Sequence, residues 1–451
     1  MNFSIKSSER ENISSDYLNI QENNLDNIRL IEKRTFHLHL ISQVFTGLSF
    51  GILMLQEVIL KKSLLASNFQ VTVLIFLTSS AFLFSIYGTE IINRANNQSR
   101  MIILMAVISR SFLLIIPFSE TPGFFIFCIA AMCYIDSMLK PSWNTVFKHN
   151  YTNEKRSLLY SYASTFYTVV VLIVTTILGY LLDFDYKLYK IFYPIAGIFD
   201  ILAYINLAKM IKMGKIFDES INTKFSGVIN TRLVKDVIIL PVRNLIRIFK
   251  ENKPFFRFEI YFFLYGVAFM IASPAVPVFL VETLKLDYSP ISIAKGLVFY
   301  TSTILFTPVM GKLHGSGNPT KFCGYLFLSL ILYPLLMLSV KYFGVDNHIL
   351  PVNTLLYITF FYFGIAMSGI TMSWNLSSIY YAPHAEVANY QAVHITLTGI
   401  RGSFAPFIGY LILRIFSIEA TFIVSAFFFL LAGGMMLRES NRITAVAVPE
   451  R

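Results

Sequence analysis

Long apolar runs separated by short polar breaks recur twelve times along the chain, near residues 36–57, 70–92, 101–118, 123–147, 158–182, 188–209, 255–280, 289–312, 322–343, 352–379, 390–413 and 418–437. Each is close to the ~20 mostly apolar residues that cross a bilayer as a helix. Apolar residues run on continuously inside them, whereas the ~10-residue strands of a membrane barrel alternate. The pattern predicts an all-α membrane protein of twelve transmembrane helices. Residues 1–33 are polar and rich in Asn, Ser and Glu. They read as a disordered cytoplasmic tail, too polar for a cleavable signal peptide, so the first helix is expected to direct insertion.

The sixth and seventh runs are set apart by residues 210–254, a basic stretch. Within it Leu233, Val237 and Leu240, then Leu245, Ile248 and Phe249, fall at helical spacing, with Arg232, Lys235, Arg243, Arg247 and Lys250 supplying a polar side. That predicts short amphipathic helices on the inner membrane surface, broken near Pro241. The chain therefore divides into a tail (1–33), a six-helix bundle (34–209), a basic linker (210–254), a second six-helix bundle (255–437) and a short cytoplasmic tail (438–451). An internal repeat supports two halves: the two tryptophans sit in Ser142-Trp143-Asn144 and Ser373-Trp374-Asn375, each near the inner end of the fourth helix of its half.

Composition agrees. Of 451 residues, 55% are hydrophobic and 14% charged, against about 25% charged in soluble domains. A net charge of +11 would point to a polyanion in a soluble protein, but its distribution removes nucleic acid as a partner. With both termini in the cytoplasm, that side holds 26 of the 37 Lys and Arg and the other side 7, as the positive-inside rule requires. An integral, multi-pass protein of the plasma (bacterial inner) membrane is expected. Cys128, Cys133 and Cys323 fall inside helices as small packing residues, with no disulfide framework or metal spacing. Neither cofactor nor metal is expected.

Position and layout then carry a resemblance. Asn93 and Arg94, followed by Asn96, Asn97 and Arg100, lie between helices 2 and 3; Gly311, Leu313, Gly315, Gly317, Asn318 and Lys321 lie between helices 8 and 9. Both segments are tight, basic and cytoplasmic. With the six-plus-six layout they resemble the loop motif of the major facilitator superfamily, Gly-x-Leu-x-Asp-Arg-x-Gly-Arg-Arg, in degraded copies. The resemblance implies two pseudo-symmetric bundles and a secondary transporter working by alternating access, with Asn93, Arg94, Gly311 and Gly317 in loops that tune the conformational switch. The glycine- and proline-rich helix 5 of the drug antiporters is not matched, since helix 5 here has Gly179 and no proline. The acidic residues of the sugar–proton symporters in helix 1 also have no match, and helix 1 here offers Gln43 and Gln56, with Glu57 near its outer end.

Ionisable groups deep in membrane helices are costly and mark candidate sites. Asp136 and Lys140 share a face of helix 4 at i, i+4 and read either as part of a substrate site or as a structural pair. Arg110, in helix 3, has no local acid partner and reads either as meeting Asp136 across helices or as snorkelling along a crevice. Arg401, in helix 11, is flanked by Gly399 and Gly402, which would leave room for it to grip an anionic group bidentately or to bond backbone or a carboxylate of the cytoplasmic half. Gln43 and Asn375 complete the candidate pathway. Asp200 and Lys295 are weaker members, and His394 reads as a hydrogen-bonded histidine or a proton shuttle. Because Arg110, Lys140, Lys295 and Arg401 outnumber Asp136 and Asp200, the cavity is expected to be positive and to favour an anionic or zwitterionic solute. Pro274 and Pro277 predict a kink in helix 7, and Gly47 and Gly51 a close helix contact.

The partners expected are a small-molecule substrate, a coupling proton or ion and membrane lipid, for a monomeric protein. Two other classes were weighed. A non-transporting sensor or assembly protein of this fold would carry a partner-binding domain, and a membrane-embedded enzyme an acidic external loop. The chain has neither, and it has no phosphate-binding Gly-x-x-x-x-Gly-Lys-Ser/Thr loop.

Overall fold

The computed structural model describes residues 5–85, 87, 91–92, 95–152, 155–214, 243–315, 318–383 and 386–447. Among them, eleven helices are long and apolar enough to cross a membrane, and a twelfth, shorter apolar helix takes the place of the second span. In chain order they are α1 (Asn27–Lys62), α2 (Asn68–Phe84), α3 (Gln98–Phe118), α4 (Pro122–Trp143), α5 (Leu158–Phe184), α6 (Tyr186–Gly214), α7 (Lys253–Thr283), α8 (Tyr288–Gly315), α9 (Pro319–Asp346), α10 (Val352–Leu376), α11 (Asn389–Ile415) and α12 (Ile418–Arg442). Short polar residues start several of them. Ser67 and Gln70 form a reciprocal capping box at α2, while Asn97, Asn252 and Asn318 accept backbone N–H groups at the starts of α3, α7 and α9. These caps satisfy donors the helix itself leaves open.

Two sequence expectations are modified. The helix that becomes α1 begins at Ile5, so the backbone of residues 5–33 is helical rather than disordered; extending an existing helix needs no new nucleus. Of the linker, Leu233, Val237, Leu240 and Pro241 lie outside the described residues. Residues 243–251 are helical, but Ile248 is buried beside Phe255 and Phe258, with Leu245 and Phe249 packed on the same cluster. Arg247 holds Glu386. The apolar stripe thus docks on the second bundle instead of on lipid.

Helix α7 breaks at Ser273 and Pro274, resumes at Ala275 and ends in a π-helical turn over Phe279–Thr283. Pro lacks the N–H that would continue the ladder. In the first half Gly47 and Gly51 of α1 sit against Val170 and Val174 of α5, and Thr175 donates to the Gly51 carbonyl at 2.9 Å. Across the halves, Gly179 of α5 meets Ser292 of α8, Gly296 of α8 meets Thr175 and Thr176 of α5, and Gly399 and Gly402 of α11 meet Leu83 and Ser79 of α2. The halves therefore meet along two seams, α5–α8 and α2–α11, where small residues let backbones approach.

At the end of the bundle away from the helix at residues 243–251, here the far face, polar contacts join the halves. Lys61 pairs with Glu282, Lys62 with Asp287 at 2.9 Å, and Lys295 donates to the Met54 carbonyl at 2.9 Å.

Candidate functional site

The first half holds a cluster of four ions. Arg110, 2% exposed, projects from α3 between α4 and α6. Its Nε donates to Asp200 Oδ2 at 2.7 Å, and its Nη2 reaches both Asp200 and Asp136. Nη1 donates to Ser109 at 2.9 Å, and the guanidinium lies 4.5 Å from the centre of the Tyr204 ring. The Tyr204 hydroxyl donates to Asp136 at 2.9 Å. Lys140 joins from the edge, its Nζ 3.6 Å from Asp136. The i, i+4 pair read from sequence exists, but Arg110 is the principal partner of Asp136. A buried guanidinium between two carboxylates satisfies charges that would each be costly alone in the bilayer.

The second half is built around an acid that sequence reasoning missed. Glu259, 1% exposed, lies near the start of α7, and both its carboxylate oxygens are 3.0 Å from Nδ1 of His394 on α11. His394 is 2% exposed, its Nε2 has no hydrogen-bond partner among the described residues, and its ring packs edge-on against Phe262 and Trp374. The signal was present: Phe255, Phe258 and Phe262 are all buried, and Glu259 falls on the same helical stripe. Six residues from the start of α7, it reads as a helix-end charge unless that stripe is traced.

Arg401 lies farther along the same α7–α11 contact. It donates to the Phe262 carbonyl at 3.0 Å and to Thr398 at 3.2 Å, and its Nε has no partner. Among the described residues, no carboxylate lies within ion-pair distance of it. The room it occupies comes from Gly266 of α7, where a Cβ would overlap the guanidinium. The expected roles of Gly399 and Gly402 are thus corrected: they serve the α2–α11 seam.

Other candidates are held locally. Gln43 bonds His39 Nε2 at 3.0 Å, and His39 Nδ1 lies 3.0 Å from the Tyr151 hydroxyl. Asn375 donates to Thr371 of its own helix at 2.8 Å and is exposed. Lys295 has Glu57 at 3.6 Å in addition to the Met54 carbonyl. The expected surplus of unpaired cations is therefore corrected. Arg110, Lys140 and Lys295 each have a carboxylate, because Glu57 and Asp200 reach them from other helices, and Arg401 alone of the four has none among the described residues. Asn93, Arg94 and Gly317 lie outside the described residues. Gly311, on α8, faces open space. Among the described residues no cluster of His, Cys, Asp and Glu could hold a metal.

Residues 40–345 match the family profile described as Major Facilitator Superfamily. The chain belongs to the Major Facilitator Superfamily. No curated protein sequence matches it. Among solved structures, this superfamily member is similar to a mutant of the nucleoside transporter NupG, with a TM-score of 0.66 at 13% identity over 91% of this chain and 99% of that one. It is also similar to a mutant peptide transporter POT in complex with sulfate, with a TM-score of 0.68 at 12% identity over 90% and 94%. A bacterial homologue of the human lysosomal transporter Spinster, in an inward-facing and unoccupied conformation, gives 0.57 at 11% identity over 92% and 97%. At these identities the likeness is one of fold. It extends the major facilitator architecture beyond residue 345 to the whole second bundle.

Proposed function

We propose that this chain is a secondary active transporter that moves a small solute by alternating access, coupled to protons, with both termini in the cytoplasm. The observation that carries the reading is the Glu259–His394 pair. It is a buried, directly bonded acid and base joining two helices of one bundle, so a proton gained or lost there changes the charge at the α7–α11 contact. Arg401 bears on the same contact through the Phe262 carbonyl. The polar contacts that join the halves on the far face support alternating access, since a site open to one face must be closed to the other. The basic linker and tails support the orientation. With Arg401 turned into a helix contact, Lys140, at 54%, is the most exposed of Arg110, Lys140, Lys295 and Arg401, and its Nζ lies 4.9 Å from the Phe82 ring centre. It is the group placed to receive the negative end of an anionic or zwitterionic solute.

Uptake into proteoliposomes, measured across a panel of anionic, zwitterionic, cationic and neutral solutes with and without a pH gradient, tests the proposal. Accumulation driven by an inward proton gradient, abolished in E259Q while downhill exchange persists, is the expected result. Transport of a solute that ignores the gradient in the parent protein would refute proton coupling. Failure of every solute to move under any gradient would overturn the transporter reading.

A further inference from the structure

The far-face contacts between the halves differ in kind. Lys61–Glu282 and Lys62–Asp287 are ion pairs with a partly exposed acid, and such pairs are weak. Asp183, at the end of α5, does something else. Its Oδ1 accepts the backbone N–H of Tyr288 at 2.7 Å and its Oδ2 that of Ser289 at 2.8 Å, and the Ser289 hydroxyl bonds Oδ2 as well. These are the first two N–H groups of α8. A helix start normally takes its cap from the residue before it. Asp287 holds that position at α8, but its side chain makes no cap bond and pairs with Lys62 of the first half instead. The cap of α8 is thus supplied from α5, across the seam. A carboxylate on two open N–H groups at the positive end of a helix is a charge-assisted arrangement.

We infer that Asp183 is the positioning residue of the far-face gate: it holds the halves together by capping α8 in trans, and opening the far face uncaps that helix. The inference rests on the alternating-access reading. One helical turn below the cap, Ser292 of α8 is fully buried against Gly179 and Thr176 of α5. A gap between α5 and α8 at Asp183 would expose it. Asp185, two residues on, supplies an internal control, because its Oδ1 caps the Lys187 N–H at 2.8 Å within the same half.

The test places a reporter, Ser292→Cys, in the otherwise native protein. It follows modification by a membrane-impermeant thiol reagent added from the far side, with the protein lacking the reporter as background. Losing a helix cap shifts an equilibrium by about 2- to 30-fold, so Asp183→Asn raises the labelling rate within that range. Asp185→Asn leaves the rate unchanged. Ser289→Ala removes only the hydroxyl contact and raises it about 2-fold. An unchanged rate in both Asp183→Asn and Ser289→Ala overturns the inference, as does an equal rise in Asp185→Asn. Should Asp183→Asn fail to elute as a folded species, Ser289→Ala decides alone. Labelling needs no substrate. A raised rate in a protein that moves no solute would therefore leave the gate standing and remove the transporter reading instead.

Discussion

Glu259 and His394 stand 3.0 Å apart on α7 and α11, each almost wholly out of contact with solvent. The carboxylate lies against Nδ1, and Nε2 has no hydrogen-bond partner among the described residues. A protonated His394 would therefore carry an unsatisfied N–H, which costs about 1–3 kcal/mol when buried. Glu259 offsets part of that by ion pairing. Glu259→Gln keeps the size and one acceptor but removes the charge. Gradient-driven uptake by that variant should lose its dependence on external pH, with the helical content of the protein unchanged. A pH profile of uptake in parent and variant measures this, and a variant profile that retains the parent's slope would place proton binding elsewhere.

The four ions of the first half should not be equivalent in stability. Arg110→Ala strands Asp136 and Asp200 in the bundle, a change of about 3–5 kcal/mol for a broken buried pair. Lys140→Gln should cost less than about 1 kcal/mol, since Lys140 is 54% exposed and Asp136 keeps Arg110 and Tyr204. Thermal unfolding in detergent distinguishes the two. Equal losses would mean that Lys140, not Arg110, neutralises Asp136.

Gly266 and Arg401 are coupled by volume. An added Cβ at Gly266 would overlap the guanidinium, so Gly266→Ala should destabilise by about 1–3 kcal/mol, as overpacking does. Combining it with Arg401→Met, which removes the branched end, should recover most of that loss. A double-mutant cycle reads the coupling, and simple additivity would show that the guanidinium moves aside without cost.

Arg247 fastens the helix at residues 243–251 to Glu386 beyond α10. The Arg247 hydrogen bonds hold the Glu386 carboxyl below its ordinary value. A carboxylate lowered in the folded state contributes above its ordinary pKa, and the contribution fades as pH falls through the lowered one. Protection from hydrogen exchange at residues 243–251, relative to the intrinsic rate at each pH, should fall in mild acid, and Arg247→Ala should show that lower protection already at neutral pH. Identical pH profiles in parent and variant would leave the fastening to Ile248 alone.

The chain's own pattern was enough for the twelve spans, the division into two halves, the break in α7 at its prolines and the close packing at Gly47 and Gly51. These depend on run length, on residues three or four apart and on backbone chemistry, all local to one helix. The repeated Ser-Trp-Asn was also informative: Trp143 lies 5.9 Å from His39 and Trp374 5.7 Å from His394, ring centre to ring centre. The partners of the charges were another matter. Arg110 meets Asp136 and Asp200 across sequence separations of 26 and 90 residues, and Glu259 meets His394 across 135. Arg401, the leading anion binder by sequence, turns instead to a backbone carbonyl over a glycine of another helix. Apolar surface is the same to a helix whichever neighbour covers it, so hydropathy places the helices without fixing their rotation. Rotation about the helix axis decides which ions meet. It is set by close packing of small residues and by the cost of leaving a buried charge unpaired, terms that exist only once the helices are assembled.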